Sequence, residues 1–179
     1  MQEINPANLN RVSNKRRNKM ANPLTAILPI SSSASIADLL GALANAGPAI
    51  DAALTAVGTV HFARFVLFDA SNDYLQPAPA PPWTNNGQFK ISVITAYDGD
   101  FAPYIQAFVN QLGDVFNVLL SFTSDGQDLV PVQNNVAGFT AYVQSHDASQ
   151  QSPNKEFGLY SAYPDCTVQK ILTLPCAPS

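Results

Sequence analysis

The residues able to do chemistry fall in a few short stretches. His61 and Arg64 lie three apart within Thr59-Val-His-Phe-Ala-Arg-Phe-Val-Leu-Phe-Asp69. A histidine there can act as acid, base or metal ligand. Arg64 can recognise an anion or pair with a carboxylate such as Asp69, Asp98 or Asp100. Alternation along a strand places His61 and Arg64 on opposite faces, so they do not act on one substrate from one pocket. Tyr97-Asp98-Gly99-Asp100 joins a phenol and two carboxylates around a turn glycine. Two readings stand: Asp98 as acid or base near a helix N-terminus, or turn chemistry in which Gly99 takes a positive φ and Asp100 caps the helix. His146 and Asp147 are neighbours at a predicted helix end, where adjacent side chains do not face each other. Tyr160 and Tyr163 sit three apart on a predicted strand and point opposite ways, so one of them lines a cavity.

Several chemistries lack their residues. The chain has no Cys-x-x-Cys, no paired metal-binding histidines, no phosphate-cradling glycine loop and no Gly-x-Ser-x-Gly. No metal site is expected. Cys166 and Cys176 stand ten apart and read as reduced thiols, with one disulfide as the other possibility. Charged residues are 12% of the chain, about half the usual share. Of nine Lys and Arg, five (Arg11, Lys15, Arg16, Arg17, Lys19) precede residue 20, beside Glu3. The rest therefore has four bases against twelve acids, a balance of −8, unsuited to a general phosphate-binding surface.

The elements that must position these residues follow from patterning. Residues 1–21 read as a basic arm, either flexible or ordered by a partner. Residues 22–179 read as one α+β domain. Leu24–Ile30 is a first strand, and Ser33 or Ser35 caps a helix with Ile36, Leu39, Leu40 and Leu43 at helical spacing. Gly47-Pro48 is expected to interrupt it before a second segment carrying Ile50, Leu54 and Val57 to a stop at Gly58. Thr59–Asp69 is a second strand, apolar on both faces. Residues 70–88 form a proline-rich loop, with Pro77 to Pro82 unable to join a ladder and Trp83 a candidate partner contact. Phe89–Tyr97 is a third strand feeding a helix with Phe101, Ile105, Phe108 and Leu112 on its apolar side. A short helix over 136–146, a fourth strand over Phe157–Tyr163 and a helical turn near Thr167–Leu174 complete the reading. Strand, helix, strand, strand, helix, strand predicts a ferredoxin-like four-stranded antiparallel sheet with helices on one face.

The stretches Leu24–Ile30, His61–Asp69 and Ile94-Thr-Ala-Tyr-Asp-Gly-Asp-Phe-Ala-Pro-Tyr-Ile105 resemble the dimeric α+β barrel superfamily. The last is similar to small domains of bacterial haem-peroxidase-associated proteins. The resemblance spans residues 22–174 and implies two ferredoxin-like subunits packed sheet to sheet. It implies activity less sharply, because that superfamily holds haem enzymes, cofactor-free monooxygenases and plain ligand binders.

The expected function is therefore assembly or ligand binding, non-catalytic or weakly so, in a homo-oligomer. The alternative is an oxidoreductase-like enzyme holding an apolar ligand or haem, with His61, Arg64, Tyr97 and Asp98 as wall residues and His61 as the candidate haem ligand. A further alternative is nucleic-acid attachment through Arg11, Lys15, Arg16, Arg17 and Lys19. No apolar run of about 20 residues is read as a span, and the polar, basic start does not read as a secretory signal, so the cytoplasm is expected.

Overall fold

A computed structural model describes residues 21–71, 75–157, 159 and 166–173. The expected basic arm, the expected strand beyond Phe157 (Leu159 apart), Tyr160, Tyr163 and Cys176 all lie outside the described residues.

β1 (Ala21–Pro29) leads into α1 (Ile36–Val57) through a capped start, with the Asp38 N–H donating to Ser35 Oγ at 3.2 Å. The expected break at Gly47-Pro48 is absent, and α1 runs through Pro48 for 22 residues. The apolar side keeps one register across the proline: Ile36, Leu39, Leu40 and Leu43 are followed by Ile50, Ala53, Leu54 and Val57 against the same core. Pro48 itself is exposed. Packing of a continuous stripe thus overrides a residue that costs the helix about 3 kcal/mol. Gly58 ends α1 at φ 63°, where its N–H reaches the Leu54 carbonyl. By length and composition alone, α1 would also suffice to cross a bilayer.

β2 (Val60–Asp69), β3 (Gln76–Pro77) and β4 (Phe89–Asp98) complete an antiparallel sheet ordered β1-β4-β2-β3. β1 and β2 each run antiparallel to β4, so they are parallel to one another with α1 as their crossover. The fourth strand is β3, from the proline-rich loop, a segment expected to stay out of any ladder. Pro77 stands opposite Phe68, and the Ala78 N–H donates to the Leu67 carbonyl at 3.2 Å. At the sheet edge the missing proline N–H costs no partner, which removes the objection. The rest of the loop is tied down by Asn85, which donates to the carbonyls of Ser31 and Ala34 at 2.8 and 2.7 Å.

α2 (Phe101–Ser121) follows β4 directly. Asp100 occupies the N-cap position with extended backbone, but its carboxylate makes no capping bond, contrary to expectation. α3 (Val136–His146), α4 (Asn154–Phe157) and α5 (Val168–Leu172) are shorter. Phe157, expected to open a strand, ends α4 instead.

The core lies between α1, α2 and α3 and one face of the sheet. That face presents Leu24, Ala26 and Leu28 from β1, Phe89, Ile91, Val93 and Tyr97 from β4, and Phe65 and Leu67 from β2. Burying this much apolar side chain is the main stabilising term of the fold.

Candidate functional site

Two places bring candidate residues together: the end of the sheet around Asp98, and the sheet face away from the helices.

At the first, β2 bulges. Val60 pairs with Tyr97 and Phe62 with Ala96, so His61 is the extra residue. A bulge re-aims its side chain, and here it swings the imidazole onto the end of β4. His61 Nε2 lies 2.8 Å from Asp98 Oδ1, and the two side chains are 17% and 9% exposed. A carboxylate accepts, so Nε2 carries the proton and donates. The other carboxylate oxygen accepts the Val168 N–H at 2.7 Å, and the Asp98 N–H donates to the Thr59 carbonyl at 2.8 Å. Gly99, at φ 82°, turns the chain into α2 while its carbonyl accepts from Asn22 Nδ2 at 2.7 Å. Gln169 donates to the Gly58 carbonyl at 2.8 Å, and a Cβ on Gly58 would collide with that side chain. Asp98 is thus a junction between β2, β4 and α5, with both oxygens engaged.

Arg64 and Tyr97 do not join this pair. Arg64 is exposed and, among the described residues, meets no carboxylate within salt-bridge distance. Its expected partners are engaged elsewhere: Asp98 with His61, and Asp69 with the Ser71 N–H at 2.8 Å. Tyr97 points into the core and stacks on Tyr104, ring centroids 3.9 Å apart. Burial, with Asp147 and Asp100 adding to it, pushes the Tyr97 phenol up to about 12. Burial likewise raises Tyr104, against the lowering effect of its 2.8 Å bond with Thr95 Oγ1. Trp83 is half-buried against the core and donates to the Pro79 carbonyl at 2.8 Å.

Two polar clusters escaped the sequence reading. Asp125 accepts Tyr142 OH at 2.7 Å and lies 3.1 Å from His146 Nε2. Tyr142 and His146 are one helical turn apart, which is the only local signal; Asp125 comes from a distant turn. Burial and the bond to Asp125 raise the Tyr142 phenol. Asp147, 3% exposed, accepts the N–H groups of Thr25 at 3.0 Å and Ser149 at 2.9 Å. It thereby closes the outer edge of β1. His146 and Asp147 do turn to different partners, as their adjacency predicts.

Between sheet and helices lies a cavity of about 20 Å³ lined by Leu24, Leu28, Tyr104, Phe108, Phe116, Phe139 and neighbouring apolar side chains. None of His61, Arg64, Tyr97 or Asp98 lines it. It is far too small for a macrocycle, so these walls do not fit that group. Among the described residues no three of His, Cys, Asp and Glu converge as metal ligands.

The second place is the far face of the sheet. The pairing lays its side chains in four rows: Pro23-Ala96-Phe62, Thr25-Ile94-Arg64, Ile27-Ser92-Val66 and Pro29-Lys90-Phe68. Eight of the twelve are apolar, yet Ile27, Phe62, Val66, Phe68 and Ile94 take no part in the helix-side core. Phe62 is 50% exposed.

Comparison with protein-family models, curated proteins and solved structures found no match to this chain. The likeness to dimeric α+β barrels therefore rests on the stretches quoted for it. Function has to be argued from the two places above.

Proposed function

We propose that this is a non-catalytic, self-associating protein whose second sheet face is its contact surface. The carrying observation is the set of Phe62, Val66, Phe68, Ile27 and Ile94, large side chains on a central sheet yet outside the helix-side core. A soluble chain gains by covering such a patch, and another copy is the simplest cover. The parallel β1 and β2 around an antiparallel β4 support the strand-helix-strand half of the ferredoxin-like arrangement expected from the sequence.

The His61–Asp98 pair fits this reading as a structural brace. Both carboxylate oxygens hold β2 and α5 together.

The test is Phe62→Asp, followed by sedimentation equilibrium. Phe62 is half exposed, so the variant folds; association is expected to weaken by on the order of a hundredfold, because a charge is then buried at a hydrophobic contact. Wild-type chain that stays monomeric at every soluble concentration overturns the proposal.

A further inference from the structure

Among the described residues, charge is unevenly placed on the sheet and the two long helices. Outside the first twenty residues there are four lysines and arginines, and two of them, Arg64 and Lys90, stand on the second sheet face. Asp98, which alternation along β4 puts on the same face, is bound to His61 and to the Val168 N–H. The helical layer is the reverse. α1 and α2 contain no Lys or Arg, and Asp38, Asp51, Asp100 and Asp114 are all exposed there. Among the described residues, two cations thus stand with apolar side chains on the second sheet face, and four exposed carboxylates stand on or beside α1 and α2.

This bears on how copies meet. A two-fold, sheet-to-sheet pair would enclose Arg64 and Lys90 of both copies, four cations, in one contact, to which the described residues of the face bring no carboxylate other than the engaged Asp98. Like charges brought together at a contact cost several kcal/mol. A sheet face set against a helical layer instead brings cation to carboxylate. α1 is the element suited to receive it, because Ile36, Leu39 and Ala53 are its buried residues and most of its length faces outward. That outward surface is largely alanine and glycine, with Asp38 and Asp51 exposed on it. Low relief of this kind lets a pleated face carrying Phe62, Val66 and Ile94 approach closely.

Resting on the self-association reading above, we propose that the occupant of the second sheet face is the α1 surface of another copy, so that copies join head to tail. Such a contact is heterologous: it leaves one sheet face and one α1 surface free at the ends of any stack, and it closes only as a ring.

Mixed single-cysteine variants test this in the full chain with Cys166→Ser and Cys176→Ser. Arg64→Cys and Asp38→Cys are oxidised separately and together, beside a sedimentation run of the unaltered chain. The proposal expects a mixed disulfide dimer in the combined sample, with neither variant cross-linking well alone. A charge swap gives an independent reading: Arg64→Glu weakens association on the order of tenfold or more, and adding Asp38→Lys with Asp51→Lys restores it. Efficient self-cross-linking of Arg64→Cys, in a chain that still associates, overturns the head-to-tail contact and leaves self-association standing. A chain that never associates overturns both.

Discussion

At the level of single residues, Asp98 ties two elements to the end of its own strand. Its two oxygens join His61 on β2 to the backbone of α5, so Asp98→Asn should cost about 2 kcal/mol, as expected for charge-assisted bonds at a mostly buried site. Hydrogen exchange should show α5 opening first in that variant. Ser92 sits at the other extreme: 1% exposed, its Oγ finds no hydrogen-bond partner among the described residues. Ser92→Ala removes an unsatisfied polar atom and should stabilise the chain by about 1 kcal/mol, read from urea unfolding. The buried phenols set a third expectation. Tyr97, Tyr104 and Tyr142 all hold their protons above the ordinary tyrosine value. A raised folded value means that their contribution is complete below the unfolded value near pH 10 and is lost as pH climbs toward about 12 and beyond. Unfolding free energy should therefore be flat with respect to these phenols at neutral pH and fall steeply above about pH 10, with tyrosinate absorbance lagging behind free tyrosine. At this scale the sequence revealed residue types but not partners. Arg64 was offered three carboxylates and took none among the described residues, because a one-residue bulge handed Asp98 to His61 instead. Spacing alone carries no mark of such a bulge.

The elements themselves were largely written in periodicity. Alternation marked β2 and β4, and the apolar side of α2 appeared at Ile105, Phe108 and Leu112, all now buried. The errors came where a local rule met tertiary packing. Proline signals a helix break, yet Leu43 and Ile50 lie two turns apart on one side, so α1 continues through Pro48. Pro48→Ala should then restore a backbone bond at an exposed position and stabilise the chain by about 2 kcal/mol, checked by thermal or urea unfolding. Proline also excluded residues 76–77 from the sheet in the sequence reading, although an edge strand tolerates it. Asp100 shows the converse: it has the position and backbone of a cap without the side-chain bond.

Over the whole molecule, one sheet separates two unlike sides. Among the described residues, the helical side has the apolar core and exposed carboxylates on or beside α1 and α2; the other side has Phe62 and its neighbours with Arg64 and Lys90. Excess of acids over bases was evident from counting, whereas their segregation needed the register that puts Arg64 beside Ile94 and Lys90 beside Phe68. Association driven jointly by apolar contact and opposed charges should weaken with added salt but not vanish, since screening removes the second contribution and spares the first. Sedimentation equilibrium of the full-length chain across a wide range of concentration, at low and at moderate salt, probes the central claim most directly. The account predicts masses that rise above one chain and fall back when Phe62 is replaced by Asp. A single-chain mass throughout, with Phe62→Asp indistinguishable from the parent, would contradict it.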